Sequence, residues 1–348
     1  SGWIPVSLEQ GLKDFLEKNN VIYFAEEAKA EENPPIKLKN NWFARLFEPI
    51  SKMYMLPYYN EFDLTPFFAP FFALFFGFCN ADIGYGIVII ILAVILKLKL
   101  KNKGMKDIMS LLIIFGASSI IMGWVMGSAL AYDLKTIPAL ADKILIKDNN
   151  QIFNYALLLG AIQILFGIAI SAVKTIRNNG IKFGLSTIGT FLLLLGLTVL
   201  GSSLLGTDIS KVQPYLKYPI YIGLAMILLF NSPGKNIILN ILNGLWLLYQ
   251  IITGYFGDIL SYIRLFALCV SSAILGFVMN SIGSQMAGIP VVGPIIFILF
   301  MLFGHTLNIA LGGLSGFVHP LRLTFVEFYK NAAFAGPGLE YKPFGKKE

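Results

Sequence analysis

From residue 64 onward the chain alternates long apolar runs with short polar connections. A hydrocarbon core takes about 20 helical residues to cross, so runs of this length predict membrane-spanning helices. Eight spans are predicted, at 64–79, 82–98, 106–131, 151–174, 183–205, 217–231, 249–281 and 291–328. The first is short and interrupted by Pro66 and Pro70. The last two exceed the length a bilayer needs, so they are expected to tilt strongly or to project beyond it. Ahead of the spans, the polar arm carries an amphipathic helix around Leu8–Asn19, a charged stretch from Glu26 to Glu32 and a Pro34-Pro35 break. The pattern predicts an all-α, polytopic membrane protein. Residues 1–62 form a cytoplasmic N-terminal region and pre-membrane segment, 63–330 an eight-helix membrane domain, and 331–348 a cytoplasmic C-terminal tail.

Composition agrees with this pattern. Of 348 residues, 56% are hydrophobic and 14% charged, with a mean hydropathy of +0.71; soluble domains carry about 25% charged residues. The net charge of +7 would suit nucleic acid, but the basic residues sit in short loops between apolar spans, so no nucleic-acid partner is expected. With the N-terminus in the cytoplasm, that side holds Lys97, Lys99, Lys101, Lys103, Lys106, Lys174, Arg177, Lys182, Lys235, Lys330, Lys342, Lys346 and Lys347. The opposite side holds Lys135, Lys143, Lys147, Lys211 and Lys217, which is 13 against 5 and follows the positive-inside rule. Both termini are therefore expected in the cytoplasm. Cys79 and Cys269 are too few for a disulfide framework or a zinc site. The chain opens at Ser1 without a signal peptide, and is expected to be a fragment or processed product that begins in a soluble part. No internal repeat suggests the inverted symmetry of many secondary transporters.

Ionisable residues inside apolar spans need a partner or a function, because each costs a few kcal/mol to place there. Asp82 lies at the first turnaround, Asp258 and Arg264 in the seventh span, and His305, His319, Arg322 and Glu327 in the eighth. At about 100° per residue, His305, Asn308, Gly312, Ser315, His319 and Arg322 form one polar, small-residue stripe. The two histidines stand about 21 Å apart along it, too far to share a metal. Glu327 lies about 140° around the helix from Arg322, and Arg264 about 240° around from Asp258, so neither pair should close within its helix. Arg264 therefore needs a partner on another helix or another protein. A guanidinium stays protonated, so it holds a carboxylate ionised or bars cations, whereas histidines and carboxylates relay protons.

Two segments carry a resemblance. Tyr255-Phe-Gly-Asp258-Ile-Leu-Ser261-Tyr262-Ile-Arg264-Leu-Phe-Ala267-Leu resembles the seventh-span motif of the large membrane subunit of V-type and A-type rotary ATPases, subunit a or subunit I. Gly316-Phe-Val-His319-Pro-Leu-Arg322-Leu-Thr-Phe-Val-Glu327-Phe is similar to its eighth-span motif. Asn80-Ala-Asp82-Ile-Gly84-Tyr85-Gly86 resembles the turn after its first span, a structural motif, and Pro34-Pro35 through Pro70 its pre-membrane segment. Gly2-Trp3-Ile4-Pro5 resembles the end of its cytoplasmic domain.

The resemblance implies a stator subunit of the Vo or Ao membrane sector, set in the lipid bilayer against a proteolipid c-ring. Arg264 and Arg322 would face the ring carboxylates and separate two half-channels for H+ or Na+. Peripheral stalk and central stalk subunits would couple ring rotation to ATP hydrolysis or synthesis in a separate soluble ATPase head. The chain itself has no phosphate-binding loop, so no catalytic site, cofactor or metal is expected in it. Some family members have a histidine where this chain has Ser272 and an acid where it has Gly312, which leaves His305 and Asn308 as candidates for the outer half-channel. His319, Glu327, Asp258 and Gln250 are the other half-channel candidates, each also readable as a packing or interfacial residue. A prokaryotic cell membrane is the expected setting. A secondary transporter acting alone is the alternative, and a membrane-embedded hydrolase or metal enzyme a third reading.

Overall fold

The computed structural model describes residues 2–29, 32–146, 148–204, 213–231, 236–288 and 292–343. Lys147, Lys211, Lys235, Lys346 and Lys347 of the charge count lie outside these residues, as do position 205, which closes the fifth predicted span, and position 291, which opens the last. The described residues are all-α apart from one short hairpin. In chain order the helices are α1 (Glu9–Lys18), α2 (Trp42–Tyr54), α3 (Thr65–Cys79), α4 (Ile83–Lys99), α5 (Lys103–Met126), α6 (Pro138–Ala141), α7 (Asn149–Asn179), α8 (Ile181–Leu204), α9 (Gln213–Phe230), α10 (Ile237–Ala287), α11 (Gly293–Arg322) and α12 (Tyr329–Asn331). Strands β1 (Ser128–Ala129) and β2 (Tyr132–Asp133) pair antiparallel between α5 and α6.

Each predicted span coincides with a helix. Among the described residues, five helical stretches are long and apolar enough to cross a membrane: α5, α7, α8, α10, and α11 continued to Asn331. Several boundaries differ from expectation by four residues or more, among them the C-terminal ends of α7 and α10, and two have a clear physical reason. The third span ends five residues early, at Met126, because Gly127 takes the left-handed conformation (φ 75°) that terminates a helix. The chain then turns into the β1–β2 hairpin. The seventh helix starts at Ile237 rather than 249, because nothing in 237–248 breaks it; Gly244 lets it pack closely on Leu228 of α9. At 51 residues α10 is about 75 Å long, well over twice a hydrocarbon core.

The chain divides into two compact units, residues 1–67 with 334–348 and residues 68–333. In the first, α2 buries Ala44, Leu46, Phe47 and Ile50 along one face. The C-terminal residues join the arm there through backbone bridges Ile36–Glu340 and Leu56–Gly338. Lys52 also meets Glu340 at 2.7 Å and, by donating a hydrogen bond, holds its carboxyl below the usual value. Any stability from this pair is present above the unfolded carboxylate value and fades as pH falls through the lowered one. Both side chains are nearly half exposed, so it is worth less than about 1 kcal/mol.

In the second unit, α3 supplies a row of fully buried phenylalanines, Phe68, Phe72, Phe75 and Phe78. Phe75 and Phe78 pack into a core with Ile164 and Ile168 of α7, Leu194 of α8, and Tyr262 and Leu265 of α10. Glycines set the closest crossings. A Cβ on Gly86 of α4 would lie 2.6 Å from the Gly116 carbonyl of α5, and one on Gly223 of α9 would lie 2.6 Å from the Gly189 carbonyl of α8. Small residues of this kind let helix backbones meet where lipid supplies no hydrophobic drive.

Gly86→Leu is expected to destabilise the protein by at least about 1–3 kcal/mol through overpacking. Gly201→Ala, at a position with open space around it, should leave thermal melting of the detergent-solubilised protein unchanged.

Candidate functional site

The polar residues of the second unit gather at the two ends of the α10–α11 pair. At one end, α11 passes through Pro320, which lacks an N–H, and continues as a π-helical turn over Leu323–Phe328 before α12. This turn buries Thr324 and Glu327, at 0% and 2% exposure. Asp258 of α10, also buried, accepts hydrogen bonds from Lys330 Nζ at 2.6 Å and Asn331 Nδ2 at 2.8 Å. Asn331 donates as well to the Glu327 carbonyl at 2.7 Å, so one side chain joins Asp258 to the π turn. Glu327 Oε2 is buried without a hydrogen-bond partner, and no ion pair joins Glu327 to Arg322 among the described residues.

Arg264 lies on α10 six residues beyond Asp258. Two residues before it, the fully buried Tyr262 seats its ring over Gly160 of α7 and donates its hydroxyl to Gln163 Oε1 at 2.7 Å. That anchor fixes the rotation of α10. Two residues turn a helix by about 200°, so Arg264 points away from α7, on a stripe with the exposed Leu260, Ala267, Ser271 and Ile274. Its Nη1 is buried without a hydrogen-bond partner, and no ion pair involves Arg264 among the described residues. Arg322 closes the corresponding exposed stripe of α11, after Leu311, Leu314 and Val318. His319, one turn before it, lies within electrostatic range of both arginines. Gln250 is exposed on α10.

The other end is built around the turn after α3. Asp82 caps α4 and accepts four hydrogen bonds: from Tyr85 N at 3.0 Å, Leu130 N at 2.8 Å, Ala131 N at 2.7 Å and Ser128 Oγ at 2.7 Å. It therefore holds the β1–β2 hairpin against α4 and is not a partner for Arg264. A Cβ on Gly84 would collide with Leu130, and Gly86 faces α5, so both glycines serve this packing. Tyr85 reaches α11, with its hydroxyl 2.9 Å from His305 Nδ1 and accepting from Asn308 Nδ2 at 2.9 Å. Asn308 also donates to the Ser272 carbonyl of α10 at 3.2 Å. His305 Nε2 lies 3.1 Å from Asn280 Oδ1. Asn80, wedged between Gly312 and Gly316 of α11, buries an Nδ2 without a partner. A cavity of about 260 Å³ opens beside this network, lined by Asp82, Tyr85, Ser128, Asp133, Asn149 and Ser272 among others.

The predicted stripe on α11 thus divides. Asn308 and Gly312 face the packed interior, His305, Ser315 and His319 border it, and Arg322 is exposed. The structure gathers Asp82, His305, Asn308 and Ser272 at one end and Asp258 and Glu327 at the other, with Arg264 and His319 lying between the two ends. Sequence reading missed Asn280, Asn331 and the role of Lys330, which was counted only as a topology charge. Tyr85 and Asn80 sat inside a quoted motif without a function. Asn280 carried one usable signal, an amide in an apolar stretch of helix eight residues beyond Ser272.

Comparison with known proteins finds similarity to one kind of protein. Residues 1–129 match the V-type ATPase 116kDa subunit family. The A-type ATP synthase subunit I of Methanocaldococcus jannaschii is 27% identical over 98% of this chain and 54% of its own length. The corresponding figures for Methanothermobacter thermautotrophicus subunit I are 31%, 88% and 45%. The V-type ATP synthase subunit I of Borreliella burgdorferi is 28% identical over 99% of this chain and 60% of its own length. The chain therefore spans about half the length of the curated relatives it matches.

A double-mutant cycle between Asp258→Asn and Lys330→Gln, read by thermal unfolding, should give a coupling of about 1–3 kcal/mol. That lies between exposed and buried pairs, since Asp258 is 11% exposed and Lys330 54%. A coupling near zero would mean the contact does not tie the two helices.

Proposed function

We propose that this chain, a relative of subunit I of the A-type and V-type ATP synthases, is the stator of the membrane sector of a rotary ATPase. It forms two ion half-channels against a proteolipid ring, and ring rotation couples H+ or Na+ movement to ATP hydrolysis or synthesis in a separate soluble head. Peripheral and central stalk subunits complete the coupling. In this reading all eight helical spans cross the bilayer, both termini lie in the cytoplasm, and α10 and α11 are the long tilted pair. The domain division at 62 and 330 and a prokaryotic cell membrane belong to the same proposal.

One observation carries it. Arg264 presents a guanidinium with a buried, unpartnered Nη1 on an exposed stripe of an apolar helix. A charge in that position requires an anion from outside the chain. A ring carboxylate meets the requirement: at about 4 Å, and an effective dielectric near 20, it gains about 4 kcal/mol before desolvation. The passing carboxylate stays ionised beside Arg264 and Arg322, so an ion reaches the other half-channel only by riding the ring. Glu327, with His319 and Gln250, serves the cytoplasmic half-channel, while Asp258 is neutralised by Lys330. Ser272, His305 and Asn308 serve the outer one.

The test uses the complete complex reconstituted in liposomes. Arg264→Gln is expected to abolish ATP-driven ion uptake while ring and ATPase head still co-purify. Arg264→Lys, which keeps the charge but loses the planar fork, should restore little. Normal pumping by an assembled Arg264→Gln complex would overturn the reading. Substrate exchange by the chain alone, without ring or head, would establish the transporter alternative.

A further inference from the structure

We infer that Tyr85 and His305 form a proton relay at the mouth of the outer half-channel, so this route carries protons and not sodium. The inference rests on the stator reading above and names its ion. The hydrogen bonds fix the imidazole tautomer. Asn280 donates its Nδ2 to the Leu130 carbonyl at 2.9 Å, so the atom it turns toward His305 Nε2, at 3.1 Å, is its carbonyl oxygen. Nε2 therefore carries the hydrogen and Nδ1 is bare. The Tyr85 hydroxyl donates to that bare nitrogen across 2.9 Å, while its oxygen accepts from Asn308 Nδ2. One lone pair of the tyrosine oxygen remains, and Tyr85 lines the cavity of about 260 Å³.

A cavity of that size and polarity has room for several waters. A hydronium there gives its proton to the free lone pair of Tyr85, forming a new O–H bond. The original hydroxyl proton passes to His305 Nδ1. One water is left, tyrosine returns neutral, and the imidazole becomes an imidazolium with both nitrogens donating. His305 is half-buried at the edge of α11, beside the exposed Thr306, where it releases the proton toward the outer faces of α10 and α11. Sodium finds a poorer set of buried ligands. Hard cations take oxygen ligands, yet all four lone-pair positions of Asp82 are occupied by protein donors. Asp133, the other carboxylate lining the cavity, is exposed and caps its own turn through Lys135 N.

The test separates relay from scaffold. In His305→Gln the amide oxygen still accepts from Tyr85 and the amide nitrogen still donates to Asn280, so a purely structural histidine would be replaced with little effect. Complete complexes in liposomes are assayed for ATP-driven proton uptake with a pH-sensitive dye, and for uptake of radioactive sodium. His305→Gln and Tyr85→Phe are each expected to lower proton uptake per assembled complex by about a hundredfold, the low end for a lost proton-transfer group. Near wild-type uptake in either variant, with Arg264→Gln inactive, overturns the relay and leaves the stator reading standing. Pumping by Arg264→Gln overturns the stator reading itself. Sodium uptake without proton uptake in the wild type overturns the ion assignment. Should the variants fail to assemble, the wild-type complex is treated with diethyl pyrocarbonate. Loss of uptake should track His305 carbethoxylation by mass spectrometry, and uptake that survives complete modification overturns the relay.

Discussion

Removing a charged or polar group from water inside an apolar helix bundle costs several kcal/mol unless protein groups replace the lost hydration. The interior of residues 68–333 is organised by that cost. Asp82 is satisfied by four donors from its own turn and the β1–β2 hairpin. Asp258 is satisfied by Lys330 and Asn331, and Tyr262 by Gln163. Arg264, with an unpartnered Nη1, and Glu327, with an unpartnered Oε2, depart from this pattern. Arg264 leaves a permanent positive charge beside an open face. The proposed ring carboxylate answers to the same energetics that order the rest.

The rotation of α10 makes this arrangement possible. Tyr262 packs on the bare backbone of Gly160, a contact that any side chain at 160 would block. Its hydroxyl is tied to α7, which turns Arg264 to the opposite side of a helix about 75 Å long. Further along, Ser272 and Asn280 reach α11 and the hairpin through Asn308, His305 and the Leu130 carbonyl. One helix thereby carries a charged midpoint between two polar ends, each closed by residues from other helices. The π turn after Pro320 does similar work on α11, burying Glu327 and Thr324 close to where Arg322 reaches the surface.

The relatives share this chain over nearly its whole length. Ser272 and Gly312 stand where the resemblance in sequence led to the expectation of a histidine or an acid. Gly312 is small because Asn80 occupies the space above it. The polar groups of that end reach in from α4 and from farther along α10 and α11, namely Tyr85, Asn280 and His305.

The helices were legible in the sequence because hydrophobic run length is a local property, and each run became a helix, although α10 begins twelve residues before its predicted start. The arginine motifs were legible because their residue order is itself the signal. The early stop at Gly127 was not, since only a backbone in the left-handed region shows which glycine ends a helix. Nor were the partnerships. Asp258 and Lys330 are 72 residues apart, and Tyr85 and His305 are 220 apart. Helical periodicity places a side chain on a face, but only the packing of helices against one another decides which face it meets. Sequence alone thus determined a membrane protein with two arginines in its last apolar spans, and tertiary structure decided which charges are neutralised within the chain. The physical reason is that hydrophobicity acts residue by residue, whereas a hydrogen bond exists only when two distant groups are brought within about 3 Å.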